Sequence, residues 1–227
     1  MLIALLTGAS RGIGRATALE LARRGVELLL LGRGSPALTN TEQQLASLGA
    51  KFKAFTADLA DAKATVAACR AVIAQIGVPD IVINNAGTVN RMPIEELSLE
   101  AWDHQLAVNL RAPFLITREM LPAIRARGHG RIIHVASISS TVGAAAASAY
   151  CASKWGLVGF MKSLAEELRD SGLMTLALLP GSVDTDMLVG SGFAPRMTPE
   201  DVAKTIAYYA LDAPPVHNGS IIEMFGV

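Results

Sequence analysis

Short apolar runs alternate with longer amphipathic stretches along the whole chain. Turn-forming or polar residues flank the apolar runs, which lie at residues 2–7, 26–32, 52–56, 80–83, 131–136, 173–179 and 220–224. Their almost continuous hydrophobic character is typical of strands buried on both faces of a parallel sheet. The pattern therefore predicts seven strands.

The stretches between these runs repeat apolar residues at helical spacing. Helices are predicted at residues 12–24, 38–48, 61–76, 99–126, 149–169 and 199–211. Pro113 predicts a kink or a local break in the fourth of these. Thr198 suits an N-cap and Pro199 the first helical position, while the Ala-rich run 144–147 is expected to be a loop. No linker or repeat interrupts the alternation, so we predict one α/β domain over residues 1–227, with a doubly wound, mostly parallel seven-stranded sheet and helices on both faces.

Composition narrows the class of partner. The chain has 227 residues, and its 20 basic residues balance 20 acidic ones. This neutrality argues against a nucleic-acid groove or an anionic membrane surface as the main partner. No apolar stretch approaches the ~20 residues of a membrane span, and the apolar residues 1–6 lack the basic region of a signal peptide. We expect a cytoplasmic protein that binds a small molecule, with neither nucleic acid nor membrane as partner.

A glycine-rich turn follows the first predicted strand, where residues 7–14 read TGASRGIG. Gly8, Gly12 and Gly14 allow a tight turn and a close approach of backbone to a pyrophosphate, and the helix N-terminus behind them attracts anions. The turn thus predicts a dinucleotide site. Two alternatives remain open: a plain β–α turn without a ligand, and a G-x-S-x-G hydrolase elbow with Ser10 as nucleophile, although only seven residues precede Gly8.

Six motifs together resemble the short-chain dehydrogenases/reductases of the compact, single-domain kind, which have a Rossmann fold. They are TGASRGIG at 7–14, NNAG at 84–87, Asn109 within VNL, Ser137, Tyr150-x-x-x-Lys154, and PGSVDT at 180–185. The motifs stand in family order at near-family spacing over almost the whole chain. The resemblance implies an oxidoreductase that transfers hydride to or from a nicotinamide cofactor.

The catalytic residues that the resemblance implies are Asn109, Ser137, Tyr150 and Lys154. Reduction of a ketone needs a proton donor at the carbonyl oxygen, and Tyr150 is suitable although its unperturbed pKa is about 10. Lys154 lies one helical turn further on, so we expect its ammonium to stabilise the phenolate and lower that pKa. By resemblance, Ser137 hydrogen-bonds the substrate oxygen, and Asn109 holds a water beside Lys154 in a proton relay.

The resemblance also implies the cofactor contacts. Those to phosphates, adenine, ribose and nicotinamide are expected from Gly8, Ser10, Arg11, Gly12, Ile13, Gly14, Arg33, Asp58, Leu59, Asn85, Ala86, Gly87, Tyr150, Lys154, Pro180, Gly181, Val183 and Thr185. Asp58 has an alternative interpretation as a residue that initiates the following helix.

The end of the second strand predicts which cofactor is used. NAD enzymes of this architecture have an acidic residue there to bind the ribose hydroxyls, but this chain has Gly32 followed by Arg33. A guanidinium binds a 2′-phosphate through charge-assisted bonds, and Arg11 is a second cation near the same phosphate. Ser10 and Ser35 can add hydroxyl donors. NADP(H) is therefore predicted rather than NAD(H), with reduction as the working direction.

Other features concern the surroundings of this site. The four histidines and two cysteines show no metal-ligand spacing, so no metal is expected. Cys151 beside Tyr150 is interpreted as a packed small side chain, with sensitivity to oxidation as the alternative. Residues 186–198 predict a short, glycine-containing substrate lid. By resemblance, the helices at 99–126 and 149–169 pair across a homodimer, and the unusual residues 218–226 leave a homotetramer open.

We therefore expect NADPH-dependent reduction of a ketone or aldehyde. By resemblance, the substrate is a 3-oxoacyl thioester, or alternatively a diketone or pterin side chain as in sepiapterin reductases. A non-catalytic NADP-binding sensor is the alternative from another class, but a sensor has no need of Ser137, Tyr150 and Lys154 together.

Overall fold

The predicted apolar runs form one sheet in the computed structural model, which describes residues 1–226. Its strands are β1 (Ile3–Thr7), β2 (Glu27–Gly32), β3 (Phe52–Thr56), β4 (Ile81–Asn84), β5 (Gly130–Val135), β6 (Leu173–Pro180) and β7 (Ile221–Met224). The strand order is β3-β2-β1-β4-β5-β6-β7, and each neighbouring pair is parallel. The predicted doubly wound sheet is confirmed, and within residues 1–226 it is parallel throughout.

Seven α-helices connect the strands over the same residues. They are α1 (Gly12–Arg23), α2 (Pro36–Ser47), α3 (Ala62–Gln75), α4 (Leu99–Leu106), α5 (Ala112–Arg127), α6 (Ser148–Glu167) and α7 (Pro199–Leu211). Thr198 and Asp201 form a capping box at the start of α7, with Pro199 in its first turn as predicted. None of the helices within residues 1–226 combines the length and low polarity needed to cross a bilayer.

Alternate strand residues build a core on each face of the sheet. Leu6 and Ile133 point toward the face covered by α1 and α7, whereas Leu5 and Ile132 point toward the face covered by α3 and α5. All four side chains are buried completely. Burial of one such side chain contributes about 1.5–3 kcal/mol, so two-sided burial explains why the strands are hydrophobic without alternation.

The long helical region predicted at 99–126 is interrupted, as Pro113 indicated. Between α4 and α5 lies a π-helical turn, Ala107–Arg111, in which the amide of Ala112 bonds to the carbonyl of Ala107. In an α-helix the Asn109 carbonyl would meet residue 113, but proline has no N–H and its ring clashes with that carbonyl. The wider turn relieves this clash, and it carries Asn109.

The strand order reverses between β1 and β4, which creates a crevice at the carboxyl ends of the strands. The glycine-rich turn follows β1, and the NNAG segment begins in β4 and continues beyond it. Ser137 lies just after β5, and PGSVDT begins at the last residue of β6. The fold therefore brings all these motifs to one edge of the sheet.

Candidate active site

The glycine-rich turn packs too closely for side chains. Gly8 has φ +72°, and a Cβ added there would lie 2.8 Å from the Cα of Ala86. A Cβ at Gly14 would overlap the carbonyl oxygen of Gly8, and one at Gly12 would lie 3.1 Å from Cγ2 of Thr185. The turn is therefore a bare backbone surface between the β4 loop and the β6 loop, with the shape that a pyrophosphate requires.

Thr7 and Asn85 join the glycine-rich turn to the NNAG segment. The Thr7 hydroxyl accepts hydrogen bonds from the amides of Asn85 and Ala86, both at 2.9 Å. The Asn85 side chain donates to the carbonyls of Thr7, at 2.9 Å, and Gly8, at 3.3 Å. These bonds fix the walls of the crevice, and Thr7 is a supporting residue that the sequence alone did not identify.

The start of α1 is open toward the crevice. Its N-cap residue, Arg11, directs its side chain to Asp186 instead of capping the helix, so the amides of Gly12 and Ile13 remain suited to an anion. Ser10 is half-buried beside them. Within residues 1–226 no histidine hydrogen-bonds to the Ser10 hydroxyl, so the hydrolase alternative has no base there.

The two predicted phosphate-binding arginines differ in their surroundings. Arg33 is exposed just beyond β2, and no carboxylate in residues 1–226 pairs with it. Arg11 forms an exposed ion pair of 2.5 Å with Asp186 at the beginning of the lid. Ser35 caps α2 by accepting the Leu38 amide at 3.1 Å, which leaves its hydroxyl hydrogen for a ligand. Arg33 is thus the unpaired cation of the two.

Asp58 and Leu59 follow β3 on the adenine side of the predicted site. Leu59 is buried, and the exposed Asp58 accepts the amide of Ala60 at 2.9 Å. The cap of α3 is Asp61, which accepts the amide of Lys63 at 2.8 Å. The alternative interpretation of Asp58 as the helix-initiating residue is therefore wrong, and its carboxylate faces outward from a turn.

Tyr150 and Lys154 lie one turn apart on α6. The Lys154 ammonium is 5.8 Å from the Tyr150 ring centroid and donates to the carbonyl of Val135 at 2.8 Å. Lys154 is only 3% exposed. Burial lowers the pKa of Lys154 from 10.5 to about 8, so it remains largely charged at neutral pH.

The expected lowering of the Tyr150 pKa is wrong for the protein alone. Loss of hydration raises the pKa of Tyr150, and a hydrogen bond with Ser137 and the charge of Arg91 oppose this only partly. The Lys154 ammonium donates to the Val135 carbonyl and forms no hydrogen bond with the Tyr150 hydroxyl within residues 1–226. Tyr150 is therefore held neutral, as a proton donor must be.

Ser137 lies two residues beyond β5 and is 8% exposed. Its hydroxyl oxygen accepts the amide of Ser139 at 3.1 Å. The same hydroxyl also hydrogen-bonds with Tyr150, so the two side chains converge on the place where a substrate oxygen would bind. Ser137 and Tyr150 are brought together, as the resemblance implied.

Asn109 is buried completely and rigidly held. Its Oδ1 accepts the amide of Thr88 at 2.8 Å, and its Nδ2 donates to the Thr88 carbonyl at 2.8 Å and to the Ser153 hydroxyl at 3.0 Å. A Cβ added at Gly87 would lie 3.5 Å from Asn109 Oδ1 and 3.6 Å from Lys154 Nζ. Asn109 and Lys154 thus both lie close to Gly87. The water that Asn109 is expected to hold beside Lys154 stays a prediction.

Comparison with known proteins agrees with this geometry. The family model for short chain dehydrogenases matches residues 2–192. The chain belongs to the short-chain dehydrogenase family.

Relatives with described activities are similar over most of the chain. The NADPH-dependent pterin aldehyde reductase of Arabidopsis thaliana is 35% identical over 185 residues, 81% of this chain and 76% of its own. The 3-oxoacyl-(acyl-carrier-protein) reductase FabG of Escherichia coli K12 is 36% identical over 186 residues, 82% of this chain and 75% of its own. A metagenomic short-chain oxidoreductase solved in complex with NADP superposes with a TM-score of 0.87 and is 33% identical in sequence. The superposition covers 100% of this chain and 97% of the metagenomic protein.

In this short-chain dehydrogenase the β6 loop carries the other predicted cofactor contacts. Pro180 ends β6, and the amide of Gly181 donates to the Met224 carbonyl at 2.8 Å. Val183 is buried and forms a bridge with Met197, and Thr185 lies against Gly12. The Thr185 side chain therefore brings this loop close to the glycine-rich turn across the crevice.

The predicted lid begins with a short 3-10 turn, Asp186–Leu188. Its far end is pinned, because the amides of Arg196 and Met197 both donate to the Ser182 carbonyl. Between these points Val189 and Phe193 are 78% and 67% exposed. The segment from 189 to 195 thus projects from two fixed ends.

The remaining candidates for chemistry are the potential metal ligands and the two cysteines. Within residues 1–226 no group of three or more His, Cys, Asp or Glu side chains is arranged to hold a metal. Burial raises the pKa of Cys69 to about 12, which keeps its thiol protonated. Cys151 is half-buried beside Tyr150, and its sensitivity to oxidation stays untested.

Proposed function

We propose that this short-chain dehydrogenase uses NADPH to reduce the carbonyl group of a ketone or aldehyde, with Tyr150 as the proton donor. The observation that carries the proposal is the group of side chains around the crevice: neutral Tyr150 next to Ser137, and the buried ammonium of Lys154 beside Gly87. Neither a cofactor sensor nor a hydrolase requires this combination.

The residues of the crevice suit NADPH. The bare turn at Gly8 and Gly14 leaves room for the pyrophosphate, and the open N-terminus of α1 favours its charge. Unpaired Arg33 favours a cofactor that carries a 2′-phosphate. The name of the Arabidopsis relative and the NADP bound in the metagenomic oxidoreductase support the same choice.

When bound, NADPH supplies the hydride. Ser137 would hold the carbonyl oxygen by donating a hydrogen bond, and Tyr150 would deliver its phenolic proton to that oxygen as negative charge develops there. The ammonium of Lys154 would stabilise the resulting phenolate. Because the pKa of Lys154 is about 8, this side chain is mostly charged at pH 7. Asn109 would act as a positioning residue, because its side chain hydrogen-bonds both to the loop at Thr88 and to Ser153 on α6.

Two substrate classes follow from the relatives. The Escherichia coli relative is named for 3-oxoacyl chains on a carrier protein, and the Arabidopsis relative for a pterin aldehyde. The exposed Ala-rich residues 144–146 form an apolar stretch before α6 and suit either an acyl chain or a flat ring. A 3-oxoacyl thioester is the first choice, and a diketone or pterin side chain is the second.

A panel of carbonyl compounds tests the proposal. Loss of NADPH absorbance is measured with an acetoacetyl thioester, a diketone, a pterin-like ketone and an aldehyde, and each assay is repeated with NADH. We expect turnover with at least one class and a preference for NADPH. Tight NADPH binding, seen by fluorescence, without turnover of any member or of an oxo acid such as acetoacetate would contradict the reductase and favour the sensor.

A further inference from the structure

Arg91 lies in a loop that is fixed on both sides of it. The amide of Asn90 donates to Oε1 of the buried Gln105 at 3.0 Å, and the amide of Met92 donates to the Ala146 carbonyl at 2.8 Å. Three residues before Arg91, Thr88 is held by Asn109. Hydrogen bonds therefore hold the backbone on both sides of Arg91, although it lies in an irregular segment.

The Arg91 side chain reaches the beginning of the lid. Its Nη1 donates to the carbonyl of Met187 at 3.2 Å. The methyl group of Met187 would lie 3.9 Å from a Cβ at Gly87, and Lys154 Nζ would lie 3.6 Å from the same point. The charge of Arg91 also lowers the pKa of Tyr150, as a nearby cation does. Arg91 thus lies beside the beginning of the lid, near the phenol of Tyr150.

This guanidinium has no counter-ion. It is half-buried, and no carboxylate among residues 1–226 lies within 4.0 Å of it. Its hydrogen bond to the Met187 carbonyl uses one of the five N–H donors that an arginine side chain has. A partly desolvated cation with free donors binds an anion strongly, and the planar fork matches a carboxylate.

We propose that Arg91 is the substrate-specificity residue of this enzyme and that it binds a carboxylate carried by the carbonyl substrate. The proposal rests on the proposed reductase function and replaces the neutral substrates suggested by the relatives with oxo acids, whose carboxylate lies close to the reacting carbonyl. In the reaction, hydride forms the new C–H bond and the Tyr150 proton forms the O–H bond. The carboxylate keeps its charge throughout and serves only to orient the ketone.

A matched pair of ketones tests this proposal: acetoacetate and its methyl ester, which differ in charge and little in size. The values of kcat/KM are compared in wild type, Arg91→Met and Arg91→Lys, with Arg125→Met as a control on the distant exposed end of α5. We expect Arg91→Met to reduce kcat/KM for acetoacetate about 10- to 100-fold more than for the ester, the size of a lost charge-assisted bond. Arg91→Lys should recover part of the preference.

Equal losses on the acid and the ester would overturn the role of Arg91 while leaving the reductase itself established by turnover of the ester. If neither ketone is turned over, calorimetric titration of acetoacetate into the NADP⁺-loaded protein replaces the kinetic comparison. Binding that weakens at least tenfold in Arg91→Met supports the carboxylate site. Binding that is absent, or equal in both proteins, overturns it.

Discussion

Arg33 is the residue on which the choice between NADPH and NADH rests. It is exposed, follows β2 directly and pairs with no carboxylate in residues 1–226, so its charge is available to a 2′-phosphate. Arg33→Glu should raise KM for NADPH about 10- to 100-fold, because a favourable charge-assisted bond becomes a repulsion. KM for NADH should stay level or fall. Steady-state kinetics with both cofactors measure this, and Lys51→Glu, an equal charge change elsewhere, should alter neither KM.

His134 makes the fold sensitive to acid. It is fully buried on β5, edge-on to Phe160, and burial lowers its pKa from 6.5 to about 3. Between pH 6.5 and about 3, His134 is protonated in the unfolded chain but neutral in the folded protein. The free energy of unfolding therefore decreases as the pH falls through this range. The loss amounts to about 1.4 kcal/mol per pH unit below 6.5.

Urea unfolding at pH 7 and pH 5 measures this effect. In His134→Gln the loss of unfolding free energy between the two pH values should be smaller than in wild type by about 2 kcal/mol, since the titrating group is gone. His104→Gln, at an exposed histidine, should behave as wild type. Equal losses in all three proteins would show that His134 takes up its proton in the folded state.

The sequence alone predicted the residues whose type and local spacing indicate a catalytic role. It did not predict the residues whose role depends on a hydrogen bond or ion pair with a residue far away in the sequence. The spacing of Tyr150 and Lys154 on a helix is a local property, so it was visible. Thr7 bonds to Asn85 across 78 positions, and Ser153 meets Asn109 across 44. The pair between Arg11 and Asp186 spans 175. No periodicity in the sequence encodes such partners. The same holds for the burial and the neighbours, Ser137 and Arg91, that shift the pKa of Tyr150.

At the scale of elements, hydrophobic runs predicted each strand to within two residues, because buried strands lose their apolar character abruptly at their ends. The Ala-rich residues before α6 form a loop as expected. Pro113 predicted a break in the long helical region but not its form. The structure shows that the break is a π-helical turn, Ala107–Arg111, whose Asn109 side chain hydrogen-bonds to Ser153 of α6.

The π-helical turn gives a prediction with an internal control. Pro113→Ala supplies an amide that can bond to the Asn109 carbonyl, so the turn can tighten into an α-helix and move Asn109 from Thr88. We expect kcat to fall about tenfold while thermal stability stays level or rises. Pro122→Ala, at the exposed proline inside α5, should raise stability and leave kcat unchanged. Unchanged kcat in both variants would mean that the π-helical turn does not position Asn109.

At the scale of the whole molecule, α5 and α6 present apolar side chains to solvent. Phe114 and Trp155 are 41% and 53% exposed, and Phe160 packs edge-on against Phe114 at 6.1 Å. We propose that a second copy of the chain covers this face.

Trp155→Glu should convert the dimer to monomer, because it would bury a charge in the interface. Val216→Glu, at an apolar residue that is 82% exposed elsewhere, should leave the dimer intact. Sedimentation velocity separates the two, and a monomeric wild type would contradict the proposal.

The central claim, carbonyl reduction through Tyr150, is tested most directly by comparing wild type with Tyr150→Phe. NADPH binding is measured by fluorescence and turnover by absorbance, each with the best substrate of the panel. We predict that the substitution leaves NADPH binding within about threefold and lowers kcat by about 10²- to 10⁴-fold, the range of a lost general acid. Full turnover in Tyr150→Phe would contradict the account, because the proton would then come from another group.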